Sequence, residues 1–439
     1  MFFVLICFFF AATTLFAQNV TIPDANFKAY LVGNTAINTN GDTEIQISEA
    51  AAFNGAIICS NGSISDLRGI ETFTKLRSLR CDNNQLRSLD IAANVQLEIL
   101  NCSNNNLSQL NLAANVHLEK LFCSNNQLNR LGVAANVQLD YLFCYDNNLS
   151  RLKMATNIKY LVCHENNLRR LDLTQNTNLE YLVCHENNLR RLDLTQNILL
   201  KELSCNKNRL RRLDLPQSVH LDTLDCSYNQ LKSLDIRYNK DMRSLDCSYN
   251  QLKSLDVRYN KDLRRLNCSY NQLKSLDVRY NKDLRRLYCS YNQLIDLDVV
   301  RNVRLERLNC SDNNLTSLDI TKNLNLEYLD LYNNDLRVLD VTRNEALTFL
   351  VCHKNRLKQL DVTQNIGLKD LYCSYNQLTN LDLTENVNLE EVYCDNNELS
   401  SLDVTKNLNL KYLDCQYNNI DSLDVTKNKE LSRLNYKEN

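Results

Sequence analysis

From residue 76 onward the chain repeats one pattern of apolar and polar positions, L-x-x-L-x-C-x-x-N-x-L-x-x-L-D-V-x-x-N-x-x, at a step of 21 residues. Leu263, Leu266, Cys268, Asn271, Leu273, Leu276, Asp277, Val278 and Asn281 form one copy. Eighteen registers run from Cys81 to Tyr436, and one step is 19 residues because two positions are missing between Asn157 and Ile158. Each copy holds two half-motifs, L-x-x-L-x-C-x-x-N and L-x-x-L-D-V-x-x-N, and each half carries an alternating apolar triplet that suits a short strand. The pattern therefore predicts a coil with two straight segments joined by two asparagine turns. Asparagine fills the first turn in all eighteen registers, Asn84 to Asn439, and the second turn except at Ser218. An inward asparagine both donates and accepts, so it can satisfy backbone groups that a tight turn buries. Stacked coils of this kind share no single core, and chain length counts coils rather than domains.

Ahead of the array, Ile22–Val32 predicts a short amphipathic helix with Pro23 in its first turn, and Ser48–Phe53 a second helix capped by Ser48. Between them, the spacing of a 12-residue calcium loop places Asn38, Asn40, Asp42 and Glu49 at the first, third, fifth and twelfth positions, with the Glu44 carbonyl at the seventh. Asn38 replaces the usual aspartate and Thr43 the turn glycine. Two readings stay open: a weak calcium site, or a metal-free cap whose turn is held by Asn and Asp side chains. The first 17 residues, apolar and ending at Ala17, predict a secretory signal, a membrane anchor being the alternative. The expected organisation is a signal over 1–17, a helical cap with the loop over 18–54, an irregular first repeat over 55–75 and the solenoid over 76–439.

Composition sharpens this picture. Only 7 glycines, 2 prolines and no tryptophan occur in 439 residues, so asparagine must build the turns. Eighteen cysteines in an exported chain would ordinarily predict disulfides. Equivalent cysteines on adjacent coils would stand about 4.8 Å apart with parallel Cβ vectors, against the ~3.8 Å Cβ separation of a disulfide. Leu331 and Tyr436 occupy the same slot, which marks it as a site for apolar volume and the cysteines as buried free thiols. Net charge is −2, yet residues 158–310 hold 27 Lys/Arg against 19 Asp/Glu. That local excess can steer an acidic partner.

The 21-residue leucine, cysteine and asparagine pattern over 76–439 resembles bacterial secreted leucine-rich repeat proteins with nested 10- and 11-residue halves, of internalin-like type. The likeness extends to I-P-D-A-N-F-K-A-Y-L and the calcium-loop-like stretch. It implies a leucine-rich repeat solenoid of parallel β-sheet coils with little helix and a short helical N-terminal cap. It also implies a bacterial protein, secreted or at the cell surface, that binds proteins or surface ligands.

In such a coil the leucines and cysteine face inward, and the positions flanking the fourth-position leucine face outward along the sheet. They give an early aromatic and apolar patch of Phe122, Tyr141, Phe143, Tyr160, Val162, Tyr181 and Val183. A stripe of Arg265, Arg286 and Arg307 follows, then Tyr328, Phe349, Val351, Tyr372, Tyr393 and Tyr412. Aromatic residues and arginine are enriched at binding hot spots, and an exposed patch across several coils predicts an interface. Tyrosines also suit strand positions for structural reasons alone.

Tyr228, Tyr249, Tyr270 and Tyr291, with Tyr238, Tyr259 and Tyr280, form two further rows that suit sugar stacking or simply follow from duplication. Arg169, Arg170, Arg190, Arg191, Arg211, Arg212, Lys232, Lys253 and Lys274 run beside Asp172, Asp193, Asp214, Asp235, Asp256 and Asp277. With an acid near each cation, this predicts a solvated charge ladder rather than a nucleic-acid groove. His164 and His185 beside Glu165 and Glu186 suit either a zinc site or a duplicated surface.

No nucleophile–base pair, glycine-rich phosphate loop or HExxH motif is present, which excludes the common enzyme classes. The sequence thus predicts a non-enzymatic scaffold whose concave sheet engages a protein ligand at a host or cell surface, with no cofactor beyond the calcium of the N-terminal loop. It predicts no nucleic-acid partner and no membrane span in the mature chain. A carbohydrate-binding or structural surface module is the alternative.

Overall fold

The structure, a computed structural model, describes residues 18–439, and the predicted signal segment lies outside the described residues. The chain divides into two compact units, Met1–Ala155 and Thr156–Asn439, with the boundary inside the coil that is two residues short.

The first unit begins with helix α1, Ala25–Val32, which buries Phe27 and Leu31. Sequence placed its start at Ile22. The Asp24 carboxylate instead accepts the amides of Asn26 and Phe27, both at 3.0 Å, which fixes Asp24 as the N-cap and leaves Pro23 outside. Helix α2, Ile47–Ala52, likewise starts earlier than expected. Gln46 rather than Ser48 is its cap, because Glu49 stands three residues on and accepts the Gln46 amide at 3.0 Å. Parallel strands follow at Ala56–Ile58, Ser78–Arg80, Ile99–Asn101, Lys120–Phe122 and Tyr141–Phe143, each in register with the next. A 3-10 turn, Ile70–Thr72, interrupts the irregular first coil.

In the second unit each coil contributes one strand of the first half-motif, from Tyr160–Val162 to Arg433–Asn435, and all neighbours pair in parallel. The central leucines, such as Leu266, Leu287 and Leu308, are fully buried, Val392 takes the same place in its strand, and only Leu434 of the last strand is exposed among the described residues. Among the described residues the second half-motif forms a strand in four coils. Arg130–Gly132 pairs with Arg151–Lys153 in the first unit, and Arg191–Asp193 with Arg212–Asp214 in the second. In the other coils no second strand forms among the described residues; Asp319 accepts the Thr321 amide and Asp340 the Thr342 amide, both at 3.0 Å, but Asp193 accepts the Thr195 amide at 3.2 Å within the paired strand Arg191–Asp193, so this bond does not by itself exclude a ladder.

Both turns are tied across coils by asparagine. Asn271 Nδ2 donates to the carbonyls of Cys247 at 3.0 Å and Cys268 at 3.1 Å, while its Oδ1 accepts the Leu252 amide at 2.9 Å. At the second turn, Asn281 Nδ2 donates to the carbonyls of Val257 and Asn260 at 2.9 and 2.7 Å. The first turn also holds a residue with positive φ two places after the cysteine, such as Asn83 at 55°, Glu186 at 50° and Tyr249 at 52°. A side chain other than glycine or asparagine in that region costs about 1 kcal/mol or more. The cross-coil bond from Tyr249 N–H to the Ser269 carbonyl, 3.0 Å, helps offset it.

The 17 cysteines among the described residues are free and buried, as the spacing argument expected. Burial pushes the Cys163 and Cys352 thiols up to about 12 against an ordinary 9.0. A folded-state pKa above the open-chain value gives stability that is complete below pH 9.0 and is lost as pH climbs toward 12. Urea midpoints should therefore hold steady from pH 7 to 8.5 and fall steeply above about pH 9. A thiol reagent should label the native chain only after unfolding; rapid labelling of several thiols in the native state would contradict the buried ladder.

Candidate functional site

The columns flanking the inward leucines bring five rings of the second unit into one row. Tyr328 and Phe349 stack at 4.8 Å with planes 5° apart, and Phe349 meets Tyr372 at 5.5 Å. Tyr372 stacks on Tyr393 at 4.7 Å, and Tyr393 on Tyr412 at 4.5 Å. The row stays continuous although Tyr328, Phe349 and Tyr412 open their strands while Tyr372 and Tyr393 close theirs. All five rings are half-buried. A guanidinium sits at each end: Arg307 lies 4.8 Å over the Tyr328 ring and Arg433 lies 5.1 Å over Tyr412. Each contact contributes about 0.5–1 kcal/mol at such sites. Arg433 was missed in sequence, although a cation in register with a strand aromatic one coil away is the signal that finds it.

Burial raises the phenols of Tyr328 and Tyr393 to about 12. Tyr372 is pushed up as well, by burial and by the Glu391 carboxylate that accepts its hydroxyl at 2.8 Å. These three phenols thus remain neutral and offer ring edges and hydroxyls rather than charge. His353 packs beside it, 4.7 Å from Tyr332 and 6.3 Å from Tyr372, and burial depresses its pKa.

Arg265 and Arg286 are exposed and in register with Arg307 on consecutive strands. On the other flank of this sheet, Asp225 and Asp246 are register partners, and burial raises the Asp225 carboxyl. Asn267 donates to Asp246 and Asn309 to Asp330, both at 2.9 Å. None of these half-buried acids was singled out in sequence, where aspartate at a strand end looks like any surface charge.

The early patch divides between the units. In the first, Phe122 and Phe143 lie 5.2 Å apart and the Lys120 ammonium sits 5.2 Å over the Tyr141 ring. In the second, Tyr160 and Tyr181 lie 6.2 Å apart. Val162 and Val351 are buried rather than outward, which removes them from the surface map.

The other candidate groups resolve individually. Tyr228, Tyr249, Tyr270 and Tyr291 stack at 4.0–4.1 Å with planes within 13°. Tyr238, Tyr259 and Tyr280 are exposed and form no ring stack among the described residues. Asp235, Asp256 and Asp277 pair with Arg237, Arg258 and Arg279, two residues on, rather than with Lys232, Lys253 and Lys274. The His164 and His185 rings stack at 4.4 Å, and Glu186 is held by Lys207 at 2.7 Å. No cluster of three or more metal-ligating side chains occurs among the described residues, and no helix there is long and apolar enough to cross a membrane.

In the N-terminal loop, Asn38 Nδ2 donates to the carbonyls of Val32 and Asp42, and Asn40 Nδ2 to the Asp42 carboxylate at 2.9 Å. Asp42 accepts the Glu44 amide at 2.7 Å, which with the Asn40 and Gln46 amides holds its carboxyl below the ordinary value. Burial opposes ionisation of Glu49, but the amides of Gln46, Thr39 and Asn40 and the Thr39 hydroxyl outweigh it and lower that carboxyl too. The Glu44 carboxylate pairs with Lys28.

No protein-family model and no curated protein matches the chain. Solved structures do. The functional domain of InlJ from Listeria monocytogenes, which includes a cysteine ladder, is 31% identical with a TM-score of 0.67, over 91% of this chain and 81% of that one. A leucine-rich repeat protein of Leptospira interrogans is 25% identical with a TM-score of 0.62, over 80% of this chain and 92% of its own. YopM from Yersinia enterocolitica, 24% identical with a TM-score of 0.62 over 86% and 90%, shares the fold.

The loop oxygens of Asp42 and Glu49 already have donors, so calcium would have to displace them. Millimolar calcium followed by a chelator should leave the melting temperature unchanged. A rise of several degrees with calcium, reversed by the chelator, would instead establish a metal site at Asn38, Asn40, Asp42, Glu44 and Glu49.

Proposed function

Because the chain belongs to the internalin-like leucine-rich repeat proteins, we propose that it is a non-enzymatic binding scaffold, secreted or displayed at a bacterial cell surface, that engages a protein ligand through its outward sheet positions. The observation that carries this reading is the row Tyr328, Phe349, Tyr372, Tyr393 and Tyr412 with an arginine over each end. Each ring is fixed by its neighbours and by a strand whose central residue is fully buried, so binding would immobilise few side chains. Rigid aromatic anchors lose little entropy on association, which is where protein interfaces gain affinity. In the first unit, Phe122, Tyr141 and Phe143 make a smaller version of the same surface; Tyr160 and Tyr181 extend the face of the second.

Mutual stacking also favours protein over sugar. A pyranose needs an open ring face, and in this row the faces are largely turned to one another. Probing an array of purified extracellular protein domains and a glycan array with the whole chain tests the choice. We expect binding to at least one protein, weakened at least tenfold by Tyr372→Ala with Tyr393→Ala while the melting temperature changes little, in keeping with a hot spot of about 2 kcal/mol. Binding confined to glycans, or protein binding indifferent to these substitutions, would sink the reading.

A further inference from the structure

Next to its aromatic row the second unit holds cations that the fold has not neutralised. Arg265, Arg286 and Arg307 face one another across consecutive strands, about 4.8 Å apart along the sheet, and Arg264 adjoins Arg265. Neighbouring Arg243, Arg285 and Arg304 each have a carboxylate, from Asp222, Glu306 and Asp283. Among the described residues no acid lies within ion-pair distance of Arg264, Arg265 or Arg286. Like charges opposed across strands repel, and acids one column away are spent on other arginines. Arg307 joins the two features: its Nε–H is enclosed without an acceptor, and its guanidinium rests on the Tyr328 ring.

Resting on the reading of this face as a protein-binding surface, we propose that its ligand is an extended polypeptide segment with two parts. An acidic stretch lies over Arg264, Arg265, Arg286 and Arg307, and an apolar, aromatic-rich stretch lies over Tyr328 to Tyr412. Charge selects the first part, since bidentate guanidinium–carboxylate pairing matches arginine to aspartate and glutamate. The second part follows from ring edges and hydroxyls that pack side chains and meet backbone carbonyls. A nucleic acid fits less well, because Asp225, Asp246 and Asp330 on the same sheet oppose a continuous polyphosphate and the stacked rings leave no gap for bases. Arg265 to Tyr412 spans seven strand steps, roughly 34 Å, or about ten residues of extended peptide.

A random dodecapeptide display library panned against the whole chain tests this, with affinities of the selected peptides measured by fluorescence anisotropy. Two variants serve as controls, Arg265→Glu with Arg286→Glu and Tyr372→Ala with Tyr393→Ala, each first shown to fold by circular dichroism and its urea midpoint. Selected peptides should join a cluster of Asp and Glu to a run of Phe, Tyr or Leu. Their affinity should fall at least tenfold in either variant and weaken as salt is raised. Peptides that lose binding in the tyrosine variant but ignore the charge reversal would overturn the acidic assignment and leave the sheet-face reading standing. Peptides indifferent to both variants, or no enrichment at all, would defeat both. Tighter binding of a sulfated oligosaccharide or single-stranded DNA than of any peptide would assign the arginines to another class of partner and overturn the proposal.

Discussion

Every coil of this chain must turn twice, and each tight turn buries backbone amides and carbonyls that no strand can reach. The side-chain amide of asparagine answers this demand: at the first turn it both donates and accepts, as Asn271 does, and at the second it donates to two carbonyls while its oxygen, as in Asn281, is buried without a donor. Asn250 and Asn271 each accept a leucine amide and donate to cysteine carbonyls on two coils. Each bond is worth about 1 kcal/mol net, whereas a buried group left without a partner costs about 1–3 kcal/mol. Leucine packing supplies the burial, but the amide bonds decide where the chain turns. They also hold one coil in register with the next.

That register is what makes a surface. Because strand positions repeat at a fixed step, a residue type repeated in sequence becomes a row in space, and neighbouring rows combine. Tyr372 and Tyr393 sit on the opposite flank of the leucine from Phe349 and Tyr412, yet all join one stack. Arg307 and Arg433 close its ends. The buried thiols add volume without chemistry, leaving recognition to the outward positions. The same rigidity makes the unneutralised Arg265 and Arg286 meaningful, because a side chain on a fixed strand cannot drift far toward a distant acid.

Much of this was legible in sequence. The 21-residue period gave the parallel solenoid, the thiol spacing excluded disulfides, and Tyr328 and Phe349 were recognisable as outward. What escaped depended on competition between local bonds. The second half-motif has strand periodicity, yet among the described residues it pairs as strand only at 130–132 with 151–153 and at 191–193 with 212–214. Glu49 moved a helix cap to Gln46, and Asp24 shortened the first helix. The pairing of Arg237 with Asp235, the burial of Val162 and Val351, and the stacking that links two strand columns are rotamer-level facts that a one-dimensional pattern does not carry.

The claim that asparagine bonds hold the coils is tested most directly by urea denaturation of Asn271→Ala beside the native chain. Loss of the amide strands the Leu252 N–H and removes donors from the carbonyls of Cys247 and Cys268. The account predicts a loss of about 2–4 kcal/mol, with hydrogen exchange quickening first at Leu252 and its neighbouring coils. An unchanged midpoint with Leu252 still protected would contradict it.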